Sequence, residues 1–390
     1  MAKEFSLTDI QKELKNINPF GSVLSKSEFS KVTEFVDTGN YHLNAVFSGD
    51  LFGGIPNNRT ICLAGESGSG KTFLLLNMCR EAQKKGYYVI YYDTEGAVDM
   101  ETASKFGVDP DRFDHQPMSD LAIFRTSITT LIKKMIEAKT KGYKLPKIFL
   151  ALDSLGMLAT TKEVNDAISG SDKSDMTRAK MIRSIFRIIT SDLTGLGIPF
   201  VFTNHTYAST GMFPTINISG GGGLVYSASV ILALSKAKMK EGKLQTGIIV
   251  TVKTLKNRFS KPIPIKFHIG WDKGMNPYIG MEEYMDWDIC GIQRGNILSK
   301  KDADKAIETG KDVKEFEFEG NKMYFLGKDT AQRYIVKHLG IGVKATELFT
   351  PQVWTKEVLT EINEKCILGK FSYSVSGGDD IEAFLDDENE

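Results

Sequence analysis

Hydrophobic positions in the first half of the chain gather into four short runs: residues 61–64 (ICLA), 87–92 (YYVIYY), 147–152 (KIFLAL) and 199–202 (PFVF). Runs this short, barely interrupted by polar residues and rich in aromatic and β-branched side chains, predict strands buried on both faces. The second gives way to Asp93, Thr94 and Glu95, the third to Asp153 and Ser154, the fourth to Thr203, Asn204 and His205. Between the runs, apolar residues return at helical spacing, in Phe73, Leu74, Leu75 and Met78 and again over residues 121–138. Strands alternating with helices predict an α/β fold with a mainly parallel sheet covered on both faces. Ligands bind such sheets beyond the carboxyl ends of the strands, and Glu95, Asp153 and His205 all fall at that edge.

The pattern differs towards both ends. Leu7, Ile10, Leu14 and Ile17, with Ser6 and Asp9 as capping residues, predict a short amphipathic helix, and residues 18–22 (NPFGS) a linker. Such a tethered helix can dock on another protomer or pack on its own core. Residues 230–234 and 248–252 read as a hairpin. Farther on, residues 315–325 suggest a hairpin about Gly320 and Asn321, and residues 353–367 a helix. The expected organisation is an N-terminal helix and linker for protomer docking (1–39), a core (40–280), a small α+β C-terminal domain (281–376) and an acidic disordered tail (377–390).

Composition adds two points. With 41% hydrophobic and 25% charged residues the chain reads as soluble and globular, with no membrane partner expected. Its formal net charge is zero, yet nothing basic follows Lys370 while Asp379, Asp380, Glu382, Asp386, Asp387, Glu388 and Glu390 crowd the end, so the preceding body is net basic. Cys62, Cys79, Cys290 and Cys366 form no paired spacing, which suits a reducing cytoplasm.

The chemistry concentrates where the first run meets the first helix. Gly65, Glu66, Ser67, Gly68, Ser69, Gly70, Lys71 and Thr72 form a P-loop in its expected strand, loop and helix context. Its glycines let backbone amides close around phosphate oxygens, Lys71 reaches the β and γ phosphates, and Thr72 offers a hydroxyl to Mg²⁺. Asp153, an acid directly after an apolar strand, is the second candidate for holding Mg²⁺, and Glu95 the candidate base for an attacking water. Two polar, glycine-bearing stretches, residues 160–174 and 206–223, could lie against a nucleic-acid backbone. The first leads into a helix on which Lys180, Arg183 and Arg187 share a face. A solvated helix face and a mobile lid are the plain alternatives.

The chain resembles the RecA-type recombinases, most closely their UvsX-type branch from T-even phages, over nearly its whole length. The resemblance rests on GESGSGKT (65–72), YYDTEGAVD (91–99), LALDSLGMLATTKE (150–163), SDMTRAK (174–180), SIFRI (184–188), NHTY (204–207) and GGGGLVYSA (220–228). It implies a RecA-like core and an ATP- and Mg²⁺-dependent recombinase. Such a protein would form helical filaments on single-stranded DNA and pair it with double-stranded DNA, in the cytoplasm of a host cell if of phage origin. Further copies of the chain, a loading mediator and a single-strand-binding protein are the implied partners. By the same resemblance Glu95 is the catalytic carboxylate, Asp153 the metal-site acid and His205, where bacterial members carry Gln, the γ-phosphate sensor. Asp99 is the acid near the adenine, and Thr102 stands where bacterial members stack an aromatic ring on the base. Lys256 and Arg258 match the basic pair that reaches a neighbouring subunit's ATP. Residues 160–174 and 206–219 correspond to the first and second DNA-binding loops; Tyr207 and Phe213 lie in the second, and Gly220 and Gly221, which follow it, are further DNA-binding candidates. A hexameric helicase of the same fold and a non-catalytic nucleotide-dependent mediator remain alternatives.

Overall fold

The computed structural model describes residues 6–169, 177–208, 216–218, 227–242, 244–272, 274–371 and 373. Its centre is strand β3 (Thr60–Gly65), buried along its whole length. Two earlier strands, β1 (Phe35–Val36) and β2 (Ile55–Pro56), pair with each other in a separate ribbon. β3 lies between two parallel neighbours, β7 (Phe200–Ala208) and β9 (Val230–Glu241). On the β7 side follow β6 (Ile148–Asp153), β4 (Tyr88–Asp93) and β5 (Phe113–Pro117), all parallel. On the other side β10 (Leu244–Asn257) and β11 (Ile265–Gly270) extend the sheet antiparallel, and β8 (Ile216–Ile218) folds back on the far end of β7.

Alternation along each strand sends side chains to opposite faces, and the two faces bury separate apolar clusters. Ile61 and Leu63 of β3 join Phe149 and Ala151 of β6 against helix α3 (Lys71–Lys84) and helix α2 (Tyr41–Ser48). Cys62 and Ala64 join Leu150, Leu152, Phe200 and Phe202 beneath α5 (Leu121–Thr140) and α7 (Thr177–Leu196). Helices therefore cover both faces, as the continuous apolar runs predict. The first cluster runs on through Met281, Tyr284, Ile292, Trp354, Ile362 and Phe371, so the C-terminal part packs against the same core. That part carries a five-stranded antiparallel sheet: β12 (Ile292–Leu298), β13 (Val313–Phe318), β14 (Asn321–Gly327), β15 (Arg333–Val336) and β16 (Ile341–Lys344).

Several boundaries differ from the sequence reading. β7 continues six residues past Phe202 to Ala208, because β8 supplies its outer end with a hydrogen-bonded partner. His205 thus lies within a strand. Strands β9 and β10 are each far longer than the expected 230–234 and 248–252, and Lys256 lies within β10, paired with Ile231. Within residues 160–174 a helix, α6 (Thr161–Ser169), replaces the expected loop, with Glu163 and Thr160 exchanging hydrogen bonds at its start. The late hairpin turns at Glu319 and Gly320, with φ of 47° and 76°, one residue earlier than expected. Near the C-terminus, regular helix begins at Lys356 and not at Val353. Helix α1 (Leu7–Ile17) forms as predicted, its Ser6 side chain accepting from the Thr8 amide, and none of its residues is buried.

Candidate nucleotide site and basic face

The pairing of β3 with β7 places Gly65 beside His205, and that of β4 with β6 places Asp93 beside Asp153. Four strand ends therefore converge on one cleft of about 270 Å³, lined by Gly68, Lys71, Thr72, Glu95, Asp153 and His205, with Ile248, Ile269 and Trp271 on the opposite wall. Gly68 and Gly70 adopt φ of 71° and 89°, left-handed values that glycine alone takes without strain. Lys71 is 7% exposed, and its ammonium donates to the carbonyls of Gly65 (3.0 Å) and Glu66 (2.8 Å). Burial pulls its pKa below the ordinary lysine value, against the opposing pull of Asp153 and Glu95. The Ser69 hydroxyl is buried and has no hydrogen-bond partner among the described residues.

Asp153 is 1% exposed and held by three hydroxyls. Thr72 (2.5 Å) and Tyr91 (3.1 Å) donate to Oδ2 and Thr203 to Oδ1. Burial raises its pKa, and Glu95 pushes the same way against the hydrogen bonds from Thr203, Thr72 and Tyr91. Glu95 Oε1 accepts from the Ser154 hydroxyl (2.8 Å) and lies 3.3 Å from His205 Nε2, which is itself 3.4 Å from Ser154 Oγ. The turn that presents Glu95 is fixed by Asp93. This carboxylate accepts from the amides of Glu95, Gly96, Ala97 and Val98 and lies 3.0 Å from His115 Nε2. Burial would raise the Asp93 pKa, but the hydrogen bonds from His115, Val98, Ala97 and Gly96 outweigh it and hold it low.

The donor set fits a nucleoside triphosphate with a hard divalent cation. The glycine-bearing loop at Gly68 and Gly70 and the Lys71 side chain line the cleft, while one carboxylate and one hydroxyl 2.5 Å apart offer oxygen ligands. Among the described residues no cluster of three or more acidic, His or Cys side chains could cage a metal alone, so a cation here would depend on phosphate and water oxygens.

Farther along the cleft, Trp271, 62% exposed just after β11, leads into a hollow of about 530 Å³ that it shares with Phe73, Phe106, Arg80 and Lys105. The Phe73 and Phe106 rings pack edge to face at 5.0 Å. Asp99 instead caps helix α4 (Met100–Phe106), accepting from the Thr102 amide at 2.8 Å. Neither Asp99 nor Thr102 lines either hollow.

The second group of candidate residues lies elsewhere. On α7, Ile182, Ile185, Phe186, Ile189 and Leu193 are buried, which leaves Lys180, Arg183 and Arg187 exposed along the other face. Arg183 and Arg187 share a cleft of about 470 Å³ with Arg59 and Arg258, and among the described residues no carboxylate lines it. Arg59 donates to the Ser30 carbonyl at 2.7 Å and lies over the Phe259 ring; burial, then Arg258, lower its pKa. Burial and Arg258 also lower that of Lys256. Lys256 and Arg258 do not line the cleft at their own chain's P-loop. Tyr207 is 58% exposed on β7. Phe213, Gly220, Gly221 and the acidic tail lie outside the described residues.

Sequence reading missed Asp93, Tyr91, Ser154, Thr203 and Trp271. The first four are polar groups at or near strand ends beside residues that it did identify. A tryptophan flanked by glycines at 270 and 274 was the available signal for the last.

A glycine-rich phosphate cradle joined to a strand-end acid and a second-strand glutamate, on a sheet of this order, defines a P-loop nucleotide-binding fold. Residues 3–276 match the RecA N-terminal domain family, and the chain belongs to that family. It is 32% identical over 265 residues to the "Recombination and repair protein" of Enterobacteria phage T4, an alignment covering 66% of this chain and 65% of that protein. It is 25% identical to the RecA protein of Wolinella succinogenes over 91% of this chain and 87% of the relative, and 26% identical to that of Fusobacterium nucleatum over 77% and 76%.

Proposed function

We propose that this chain is a DNA-dependent ATPase that assembles as a helical filament on single-stranded DNA and catalyses homologous pairing and strand exchange in recombination, repair and recombination-dependent replication. The observation that carries this reading is the convergence of Lys71, Thr72, Asp153, Glu95 and His205 in one cleft, in a chain of the RecA family.

In this reading the loop amides and Lys71 take the phosphates, and Thr72 and Asp153 hold Mg²⁺, which would neutralise phosphate charge. Glu95 accepts the proton of the attacking water, fixed by Ser154 and by the turn that Asp93 ties down. His205 donates from Nε2 towards the γ phosphate and, through its contact with Glu95, reports the loss of that phosphate to β7. Trp271 and Phe73 offer the aromatic surface for the base that Thr102 lacks. Lys180, Arg183, Arg187 and Tyr207, with Phe213, Gly220 and Gly221, bind DNA. Lys256 and Arg258 act on the next protomer's nucleotide, and α1 with its exposed Leu7, Leu14 and Ile17 docks on that protomer. Residues 281–376 form the small C-terminal domain that follows this core in sequence, and residues 377–390 are its acidic tail. A loading mediator and a single-strand-binding protein complete the set of partners.

The test is phosphate release with and without single-stranded DNA, alongside DNA binding supported by a slowly hydrolysed ATP analogue. Glu95→Gln should keep the binding and lose at least about 100-fold in turnover, while Lys71→Ala should lose both. Normal turnover by Glu95→Gln would remove the base assignment. Rings in place of filaments in electron micrographs would favour a helicase.

A further inference from the structure

The P-loop is gripped from two sides, and only the inner grip belongs to its own sequence signature. From inside, the Lys71 ammonium holds the carbonyls of Gly65 and Glu66. From outside, the ammonium of Lys236, on β9, donates to the carbonyl of the next residue, Ser67. β9 is the direct neighbour of β3, paired Gly65 to Leu234, and the Leu234 carbonyl would stand 2.6 Å from a Cβ on Gly65. Lys236 therefore projects two residues beyond that pairing, over the loop itself. It approaches so closely that a Cβ on Gly68 would lie 2.8 Å from its nitrogen.

Three consecutive carbonyls, of residues 65, 66 and 67, are thus drawn to ammonium groups. These contacts, together with the Ser69 amide donating to the Glu66 carbonyl at 3.3 Å, fix the backbone of the turn beside the cleft, as an anion-receiving loop requires. The two lysines also act on each other, since Lys236 disfavours the charged form of Lys71. A polyanion bound in the cleft would relieve that repulsion, and the more negative the polyanion the larger the relief.

We propose that Lys236 is a second cation of the phosphate site, acting in cis as a positioning residue. It holds the 66–68 turn in its phosphate-receiving form and adds positive potential that favours a nucleoside triphosphate over a diphosphate. This rests on the nucleotide reading above and goes beyond it: Lys236 lies outside the P-loop signature and comes 165 residues after Lys71. It touches no reacting atom, so its loss should weaken binding and leave the hydrolytic step at saturation intact.

The experiment titrates fluorescent N-methylanthraniloyl derivatives of ATP and ADP, with Mg²⁺, into the full chain and into Lys236→Met, Lys236→Arg, Lys238→Ala and Lys71→Ala. Steady-state kcat and KM are measured in parallel. Lys236 is exposed, so its replacement leaves the core untouched. Lys236→Met should raise the triphosphate Kd about tenfold and the diphosphate Kd about threefold or less, with KM rising and kcat within about twofold of the parent. Lys236→Arg should restore most of the affinity. Lys238→Ala, which removes an equal charge two residues along the same strand, should bind as the parent does. Equal affinity in Lys236→Met and the parent, or an equal loss in Lys238→Ala, or a fall in kcat at unchanged Kd, overturns the proposal. Lack of triphosphate binding by the parent, or full binding by Lys71→Ala, would instead overturn the nucleotide reading itself.

Discussion

Asp153 would carry a negative charge at a position that is 1% exposed and that, among the described residues, has no cation in contact, only three hydroxyl donors. Burial, its largest influence, raises its pKa in the fold. A raised folded pKa contributes stability that is fully present below the unfolded value, about 3.9, and is lost as pH rises through the folded one. Near neutrality its ionisation is therefore a liability that a divalent cation would offset. Asp153→Asn should raise the melting temperature at neutral pH without metal or nucleotide, with the gain vanishing below about pH 3.9. The same variant should lose Mg²⁺-dependent nucleotide affinity. Differential scanning calorimetry across pH, and nucleotide titration with and without Mg²⁺, check both. Asp93 has the opposite sign. Its pKa is held low, so its contribution is present above the unfolded value and is lost as pH falls through the folded one. Asp93→Ala strips four amides of their acceptor and should cost about 1–3 kcal/mol in denaturant unfolding. It should also lower kcat, because the turn bearing Glu95 loses its anchor.

At the scale of elements, β7 is the most consequential single piece. Thr203, His205 and Tyr207 alternate onto one face, so one strand carries a hydroxyl on Asp153, an imidazole beside Glu95 and an exposed aromatic ring farther out. Its first residues were legible as an apolar run, but its outer half was not. Those positions are strand only because β8 pairs with them, and no local pattern in Thr206 or Tyr207 announces a partner ten residues away. Strands β3 and β6 were legible because burial on both faces leaves a continuous apolar signature, and β4 because its run stays apolar although Tyr88 is exposed. Lys236 and Trp271 were not, since sheet order brings Lys236 to the P-loop and Trp271 to the cleft, with β9 directly beside β3 and β10 and β11 beyond it. Helix α7 shows the clearest division of labour, with an apolar face in the core and a basic face outside. Replacing Lys180, Arg183 and Arg187 together by Ala should leave the melting temperature within a degree or two. Single-stranded DNA binding should weaken, and the slope of log affinity against log salt should fall by about 0.7 per lost contact. Fluorescence anisotropy over a salt series measures it, and an unchanged slope would take this face out of the DNA site.

For the whole molecule, the question is whether one chain makes a complete site. Lys256 and Arg258 do not line the cleft at their own P-loop, and helix α1 leaves its apolar side uncovered. Both facts suit an assembly in which each nucleotide lies between two copies. Lys71→Ala and Arg258→Ala should each be nearly inactive in phosphate release, and a mixture of the two should recover part of it. Some junctions would then pair an intact loop with an intact arginine. A plot of activity against mixing ratio at constant total protein should be bell-shaped, whereas a flat baseline despite demonstrated co-assembly would return Arg258 to the status of a surface residue.

The cleft shared by Arg59, Arg183, Arg187 and Arg258 has a thermodynamic corollary. Like charges gathered with no carboxylate among the described lining residues hold one another at a cost, visible in the pKa of Arg59, lowered by burial and then by Arg258, and in that of Lys256 on the adjoining strand, lowered in the same way. An anion captured at one side of the cleft, whether a DNA phosphate or a neighbour's nucleotide, discharges part of that repulsion and so eases capture at the other. Such heterotropic coupling is reciprocal by necessity: DNA would sharpen the affinity for nucleotide by the same factor as nucleotide sharpens that for DNA. Added salt, by screening the arginines from one another, would uncouple the two even where each still binds.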